Sequence, residues 1–187
     1  MSTLDSTLVI DLTYARTDNF LGRNLYGSLQ KCYLQPEAAR MLARAHAILK
    51  QRAPGLRILV ADGARPRRIQ ERMWAAVRGT PRQRYVASPS RGSMHNYGAA
   101  VDVTLIDAST GRQLDMGTPL DDFTILAAPR EEDRLLRAGR LTREQVARRR
   151  LLRSVMTDAG FRALAIEWWH FDAFPKEETR RRFAIVE

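Results

Sequence analysis

The chain has 187 residues, which is enough for one domain with its own hydrophobic core. Hydrophobic residues make up 44 % of it and charged residues 28 %, a composition typical of a soluble globular protein and not of a disordered one. No stretch approaches the roughly 18 apolar residues of a membrane helix, and the N-terminus lacks the features of a secretion signal. The single cysteine, Cys32, excludes an internal disulfide and a thiolate metal cluster. We therefore expect a cytoplasmic protein in which any metal is held by His and carboxylate ligands.

The net charge is +10 at pH 7, and nearly all of the basic residues are arginines. A basic balance can indicate nucleic-acid binding, but these arginines are scattered, with two tight runs at 148–150 and 180–182. Neither run alternates with aromatic residues, as binding to a single strand would require. The charge therefore predicts solvated helix faces and no nucleic-acid or membrane partner.

The predicted elements are recognised by helical or alternating apolar spacing between Gly and Pro breakers. In chain order they are a helix over 36–51 with proline in its first turn, a strand over 56–61, a turn at 62–66, a helix over 67–77, a strand over 99–106, loops at 111 and 116–119, a capping-box helix over 142–158, and short strands at 163–166 and 169–171. Helices and strands mix without a regular βαβ alternation, so the expected class is α+β, in a single domain over 1–187.

Two segments contain two of the three histidines: S-x-H-x-x-G-x-A-x-D at 93–102 and E-W-W-H at 167–170. His95, His170, Asp102 and Glu167 together provide three N/O ligands for zinc and a spare carboxylate that can act as base. Spacing favours Asp102 as the ligand and Glu167 as the base, and the reverse assignment stays open. The third histidine, His46, is predicted to be a packing residue, as is the Cys32–Tyr33 pair.

This zinc site makes a demand on the backbone. His95 and Asp102 are seven residues apart, up to about 23 Å in an extended chain, so a turn is needed between them, and 96–98 is suited to one. Glu167 and His170 are three apart and would lie on opposite faces of a regular strand. The hypothesis therefore predicts irregular backbone at both places.

Arg65 lies in a G-A-R-P turn at the end of the predicted 56–61 strand. A fixed guanidinium beside a zinc site can hold a substrate carbonyl and the oxyanion that forms from it. The alternative is an arginine that only stabilises its own loop. Glu167 directly precedes a Trp pair, which can exclude water and raise the pKa of its carboxyl group.

These motifs resemble the zinc D-alanyl-D-alanine dipeptidases of peptidase family M15. Further shared motifs lie at 14–22, 62–66, 116–121 and 149–161, and the resemblance runs from about residue 12 to 172. It implies a small mixed or antiparallel sheet flanked by helices, as in hedgehog and D,D-peptidase domains. It also implies one Zn²⁺ per chain on His95, Asp102 and His170, with Glu167 as general base and Arg65 as the group that stabilises the tetrahedral intermediate.

The resemblance also assigns the two ends of the substrate. Ser93 matches a residue near the C-terminal carboxylate, and Asp121 and, less closely, Tyr14 match residues that receive the free ammonium. Without the resemblance, Asp121 would be interpreted as a helix cap before Phe123 and Tyr14 as a core residue. One position departs from the family: Ala64 stands where a tyrosine usually precedes the arginine, so we expect a more open pocket wall or a less firmly placed Arg65.

The function implied is zinc-dependent hydrolysis of the D-alanyl-D-alanine dipeptide to two D-alanines, either for cell-wall recycling or for glycopeptide resistance. Three alternatives stay open. One is a related M15 D,D-carboxypeptidase or L,D-endopeptidase that acts on larger peptidoglycan peptides. The others are a basic nucleic-acid-binding protein with a vestigial metal site, and a zinc-binding recognition module without catalysis. Oligomeric state is not indicated by the sequence.

Overall fold

A five-stranded sheet organises residues 6–187, the part of the chain that the computed structural model describes. Its strands are, in chain order, β1 Val9–Ile10, β2 Leu56–Asp62, β3 Ala100–Asp107, β4 Arg162–Ala163 and β5 His170–Asp172. Across the sheet the order is β1-β2-β3-β5-β4, with β1 and β2 parallel and the other neighbours antiparallel. The sheet is therefore mixed and the fold is α+β, as the sequence predicted.

Within residues 6–187, five α-helices accompany the sheet. They are α1 Pro36–Arg52, α2 Arg67–Val77, α3 Glu132–Arg137, α4 Arg143–Asp158 and α5 Lys176–Arg182. The predicted capping box begins α4: the Gln145 backbone N–H donates to Thr142 Oγ1 at 3.1 Å, and the Thr142 N–H donates to Gln145 Oε1 at 2.8 Å. Within residues 6–187, no helix is both long enough and apolar enough to cross a membrane.

Alternate side chains of β3 lie on two faces of the sheet, one in the hydrophobic core and one on the side of Asp102. Val101, Val103 and Leu105 are fully buried in the main core cluster, which also contains the apolar faces of α1 and α4. The intervening residues, beginning with Asp102, point to the other face because side chains alternate along a strand. Every residue of β3 except the last is buried, so both faces of this strand are covered, and Asp102 is only 6 % exposed.

Most of the predicted elements are confirmed within one or two residues: the helices that became α1, α2 and α4, and the strands that became β2, β3 and β5. The strand predicted at 163–166 is wrong beyond Ala163, because the chain bends at 165–166. β1, α3 and α5 have no predicted counterpart. With 2, 6 and 7 residues they are too short to show a period.

His46, Cys32 and Tyr33 are the residues that the sequence predicted to have a packing role. His46 on α1 is fully buried, and its Nδ1 accepts the Ile58 backbone N–H of β2 at 3.3 Å, so the prediction of a packing role is confirmed. Cys32 is partly buried against the core, and burial raises the pKa of its thiol to about 12. The prediction is wrong for Tyr33, which is 40 % exposed.

Candidate active site

The turn after β2 holds Arg65 in a fixed position. The β2–β3 register shifts between Val60 and Asp62, and the buried Asp62 carboxylate then accepts two hydrogen bonds from Arg65, from Nε at 3.0 Å and Nη2 at 2.6 Å. Gln70 Oε1 accepts a third hydrogen bond, from Arg65 Nη1 at 3.0 Å. A planar guanidinium held on two edges cannot rotate away, so Arg65 presents its remaining N–H groups in one direction.

That direction is the inside of the site. The Arg65 guanidinium carbon lies 5.1 Å from the centre of the Tyr14 ring, and Nη2 lies 3.8 Å from Asp102 Oδ2. Burial works against the charge of Arg65, but the carboxylates around it, Asp62 above all, raise its pKa above the usual value. The side chain is therefore a permanent, pre-oriented cation that also stabilises its loop.

The turn that the sequence required between His95 and Asp102 is present. A short 3₁₀ helix at Met94–Tyr97 carries His95 and is capped by Ser93, whose Oγ accepts the His95 backbone N–H at 3.3 Å. Gly98 ends it with a φ of +63°, a conformation that glycine adopts without strain. The chain then enters β3, which brings Asp102 back to the imidazole of His95.

His95, Asp102 and His170 form a compact cluster of buried ligand atoms. Asp102 and His170 are directly opposite each other in the β3–β5 register. Asp102 Oδ1 lies 3.3 Å from His95 Nε2 and 3.0 Å from His170 Nδ1, and the two imidazole nitrogens are 3.1 Å apart. Although burial opposes ionisation of Asp102, the two imidazoles lower the pKa of its carboxyl group well below the usual range.

The donor set fits a metal ion. One ligand atom from each of the three side chains lies within 4.8 Å of the others, and a set of two imidazole nitrogens and one carboxylate oxygen is common in catalytic zinc sites. The other ring nitrogen of His95, Nδ1, lies 2.8 Å from the backbone oxygen of Gly63. This contact leaves Nε2 of His95 free to bind a metal.

Glu167 lies on the irregular stretch that the sequence also required, since the chain bends at 165–166 and again at 168–169 before β5 begins. None of the residues in 6–187 donates a hydrogen bond to its side chain, so the carboxylate is available to a ligand. Burial raises the pKa of Glu167 to about 7, and the nearby carboxylates of Asp102 and Asp121 add to the increase. A carboxyl group with this pKa can both accept and return a proton near neutral pH.

Asp121 is bound to Tyr14 across 107 residues of sequence. The Tyr14 hydroxyl lies 3.0 and 2.9 Å from the two carboxylate oxygens of Asp121. Asp121 has a φ of +59°, the only positive φ at a non-glycine residue in 6–187, and burial followed by repulsion from Asp102 raises its pKa to about 7. The interpretation of Asp121 as a helix cap is wrong, because Thr124 caps the short 3₁₀ turn that follows.

All eight residues named from the sequence line one pocket of about 590 Å³. They are Tyr14, Arg65, Ser93, His95, Asp102, Asp121, Glu167 and His170. Ala64 is not part of that lining, and its backbone N–H donates to the Tyr33 backbone oxygen at 2.8 Å. The expectation that Ala64 gives a more open pocket wall or a less firmly placed Arg65 stays a prediction.

Three residues that support the site were not predicted. Asp62 holds Arg65, as described above, and Asp172 lies 2.9 Å from His170 Nε2. The H-x-D spacing within a strand is a signal for Asp172, because residues two apart share a face. Arg149 is fully buried and donates to the backbone oxygens of Met116 and Leu126 at 2.6 and 2.8 Å, at the two ends of the loop that carries Asp121.

The burial of Arg149 contradicts part of the prediction made from the distribution of charge. The run at 148–150 was expected to be solvated, but its middle residue has no solvent exposure. The helical period is a signal that identifies it, because Arg149 is three residues after Val146 and three before Leu152, which both lie on the buried face of α4.

Enzymes that activate water with a metal use three N/O ligands, an open coordination position and a separate carboxylate. This pocket brings those groups together beside a buried cation, on a rigid sheet and two short turns. The fold and the pocket therefore define a metal-dependent hydrolase.

The chain belongs to the Peptidase M15 family, whose model, described as D-ala-D-ala dipeptidase, matches residues 3–186. It is similar to the D-alanyl-D-alanine dipeptidase of Escherichia coli (strain K12), with 33 % identity over 165 residues that cover 88 % of this chain and 78 % of the relative. The dipeptidases of Enterococcus faecium and Streptomyces coelicolor are 29 % and 30 % identical, each alignment covering 86 % of this chain and 83 % of the relative. The resemblance found in the motifs is thereby confirmed, and the chain is a peptidase of this family.

Proposed function

We propose that this protein hydrolyses D-alanyl-D-alanine, or similarly small D,D-dipeptides, to free D-amino acids with one zinc ion per chain. The observation that carries the proposal is the Tyr14–Asp121 pair inside the pocket that also contains the metal ligands. A buried carboxylate there provides a site for the free ammonium of a dipeptide. In a longer peptide the corresponding nitrogen is an amide and has no charge to pair with Asp121.

His95, Asp102 and His170 would hold the zinc ion, which supplies a Lewis acid that polarises the peptide carbonyl and lowers the pKa of water. Glu167 takes a proton from the attacking water and passes it to the departing amine. The contacts of Asp102 with both imidazoles support this assignment of the two carboxylates, since within residues 6–187 no ion pair joins Glu167 to either ring.

Arg65 and Ser93 complete the proposed reaction site. Arg65 donates hydrogen bonds to the oxyanion of the tetrahedral intermediate, and its attachment to Asp62 means that little reorganisation is needed at that moment. Ser93, at the start of the turn that carries His95, receives the C-terminal carboxylate of the substrate. Asp121 and Tyr14 receive the ammonium, so that both ends of the dipeptide are fixed around the bond that breaks.

The test is D-alanine release from D-Ala-D-Ala by protein loaded with zinc, cobalt or nickel, measured beside Glu167→Ala. We expect the wild type to release two D-alanines per dipeptide, and the variant to bind metal while losing about 10²- to 10⁴-fold in kcat. Glu177→Ala, which removes an exposed carboxylate on α5, is the matched control and should keep full activity. A fully active Glu167→Ala enzyme would refute the base assignment.

The same assay separates this proposal from its nearest alternative. Cleavage of a muramyl pentapeptide, with no action on the dipeptide under any of the three metals, would establish a carboxypeptidase or endopeptidase instead.

A cytoplasmic location, expected from the use of a single free cysteine, is part of the proposal. Detection of the protein in the soluble fraction of its own cells, and not in an exported fraction, would support this location. In the cytoplasm the enzyme would either recycle the dipeptide or deplete the pool of cell-wall precursor.

A further inference from the structure

The imidazole of His170 has a partner on each of its nitrogens. Nδ1 faces the metal cluster, 3.0 Å from Asp102 Oδ1 and 3.1 Å from His95 Nε2. Nε2 points away from the cluster and lies 2.9 Å from Asp172 Oδ1. The two partners are therefore on opposite sides of the ring, and Asp172 is not one of the three residues whose ligand atoms converge.

The strand itself determines this arrangement. His170 and Asp172 are the first and last residues of β5, and residues two apart in a strand share a face. β5 pairs with β3 so that His170 is opposite Asp102 and Asp172 is opposite Ala100. On its other side Asp172 is opposite Arg162 of β4, and no ion pair joins these two side chains within residues 6–187.

The carboxylate of Asp172 is buried beside the imidazole of His170. Asp172 is only 7 % exposed, and within residues 6–187 its carboxylate is bonded to His170 alone. A buried carboxylate is costly unless it is hydrogen-bonded, so this contact is what makes Asp172 tolerable in its position. A carboxylate oxygen can accept the hydrogen bond of an imidazole N–H, so this contact favours the tautomer of His170 with the proton on Nε2.

A proton on Nε2 leaves the lone pair of a neutral imidazole on Nδ1, the nitrogen that faces Asp102 and His95. Histidine binds a metal through the nitrogen that is not protonated, and a carboxylate on the other nitrogen fixes the ring and increases the basicity of the ligand. In His95 the roles of the two nitrogens are exchanged: Nε2 faces the cluster, and Nδ1 lies 2.8 Å from the neutral backbone oxygen of Gly63. The two histidines thus have acceptors of different strength, a carboxylate and a carbonyl.

We propose that Asp172 is a positioning residue for the metal site: it holds His170 in the tautomer and orientation in which Nδ1 binds the metal, and so strengthens metal binding. The inference rests on the metal site of the proposed function. It goes beyond that function because it assigns a role to Asp172, a residue of the pocket lining that is not one of the three proposed metal ligands.

The test measures zinc affinity directly, by competition with a chromophoric chelator, for the wild type, Asp172→Ala and Asp172→Asn. Loss of such an outer partner typically weakens metal binding about 10- to 100-fold, and we expect a loss of that size for Asp172→Ala. Asp172→Asn keeps a neutral acceptor for Nε2–H, so its affinity should fall between those of the other two proteins. Asp133→Asn, which changes a carboxylate that is 70 % exposed on α3, should bind zinc as the wild type does.

A second measurement distinguishes ligand geometry from general stability. The visible absorption of the cobalt-loaded protein reports the arrangement of the ligands, and it should change in Asp172→Ala and not in Asp133→Asn. If Asp172→Ala does not fold, Asp172→Asn decides the question by the same two measurements.

Wild-type zinc affinity and an unchanged cobalt spectrum in Asp172→Ala, or in Asp172→Asn where only that variant folds, would overturn the inference while leaving the proposed function intact. A wild-type protein that takes up no zinc would overturn both. The two failures are therefore distinguishable.

Discussion

Asp121→Asn tests whether the pocket recognises a free ammonium. The substitution removes the charge but keeps a side chain of the same size, and asparagine tolerates the φ of +59° at this position. A hydrogen bond between charged groups contributes about 1.5–3 kcal/mol, and each 1.36 kcal/mol corresponds to a factor of ten. We therefore expect kcat/KM for D-Ala-D-Ala to fall about 10- to 150-fold.

The assay compares D-Ala-D-Ala with its N-acetylated form, which has no ammonium. The wild type should prefer the free dipeptide, and Asp121→Asn should lose that preference while its activity on the acetylated compound stays unchanged. An equal loss on both substrates would refute the reasoning, because Asp121 would then support the pocket without contacting the ammonium.

The pH dependence gives an independent check. Burial raises the pKa of Asp121 to about 7, and only the ionised carboxylate attracts an ammonium. The ratio of kcat/KM for D-Ala-D-Ala to kcat/KM for its N-acetylated form should therefore rise as pH increases through about 7 in the wild type. In Asp121→Asn the same ratio should not change with pH. The ratio cancels the titration of Glu167, which both substrates share.

Stability serves as the control for misfolding. A carboxyl group whose pKa is higher in the folded state holds its proton more tightly there, so it lowers stability as pH rises from its unfolded pKa to about 7. Asp121→Asn removes this effect. Above pH 7, the unfolding temperature of metal-free Asp121→Asn should consequently be no lower than that of the metal-free wild type.

Tyr14→Phe removes a hydrogen bond that lowers the pKa of Asp121, so the midpoint of the same pH profile should move to higher pH; an unchanged midpoint would contradict the contact. Arg65→Lys cannot keep the bonds to Asp62 and Gln70 and still face the substrate, so kcat should fall about 10²- to 10³-fold with little change in KM. A higher KM at constant kcat would instead indicate a role in substrate binding. Removal of metal with a chelator should abolish activity and lower the unfolding temperature, and zinc at 100 times its Kd should restore about 2.7 kcal/mol of the free energy of unfolding. Identical melting curves with and without zinc would contradict zinc binding at this site.

The sequence predicted the chemistry of the site because the residues that carry it are rare. With three histidines and one cysteine in 187 residues, the choice of nitrogen ligands was nearly forced. The spacing also predicted the backbone: His95 and Asp102 required a turn, and the structure has one that ends at Gly98. Seven residues and a fixed bond geometry leave few other ways to bring the two side chains together.

Other parts of the site have no local signal. Tyr14 and Asp121 are 107 residues apart, and nothing near either residue indicates the other. Their predicted roles rest on resemblance alone, since the residues themselves would indicate a helix cap for Asp121 and a core residue for Tyr14. Arg149 lies on the apolar face of α4, but nothing near it in the sequence indicates the loop to which it donates.

The sequence by itself determined the elements with a clear period, the α+β class and the identity of the metal-ligand candidates. These depend on residues close in the chain, where a helical or strand period relates spacing to direction. The tertiary structure alone decided that Asp121 accepts the hydroxyl of Tyr14 and that Arg149 holds the loop which carries Asp121. Such contacts form only when distant segments meet on the sheet, and their geometry depends on how the whole chain packs and not on any local pattern.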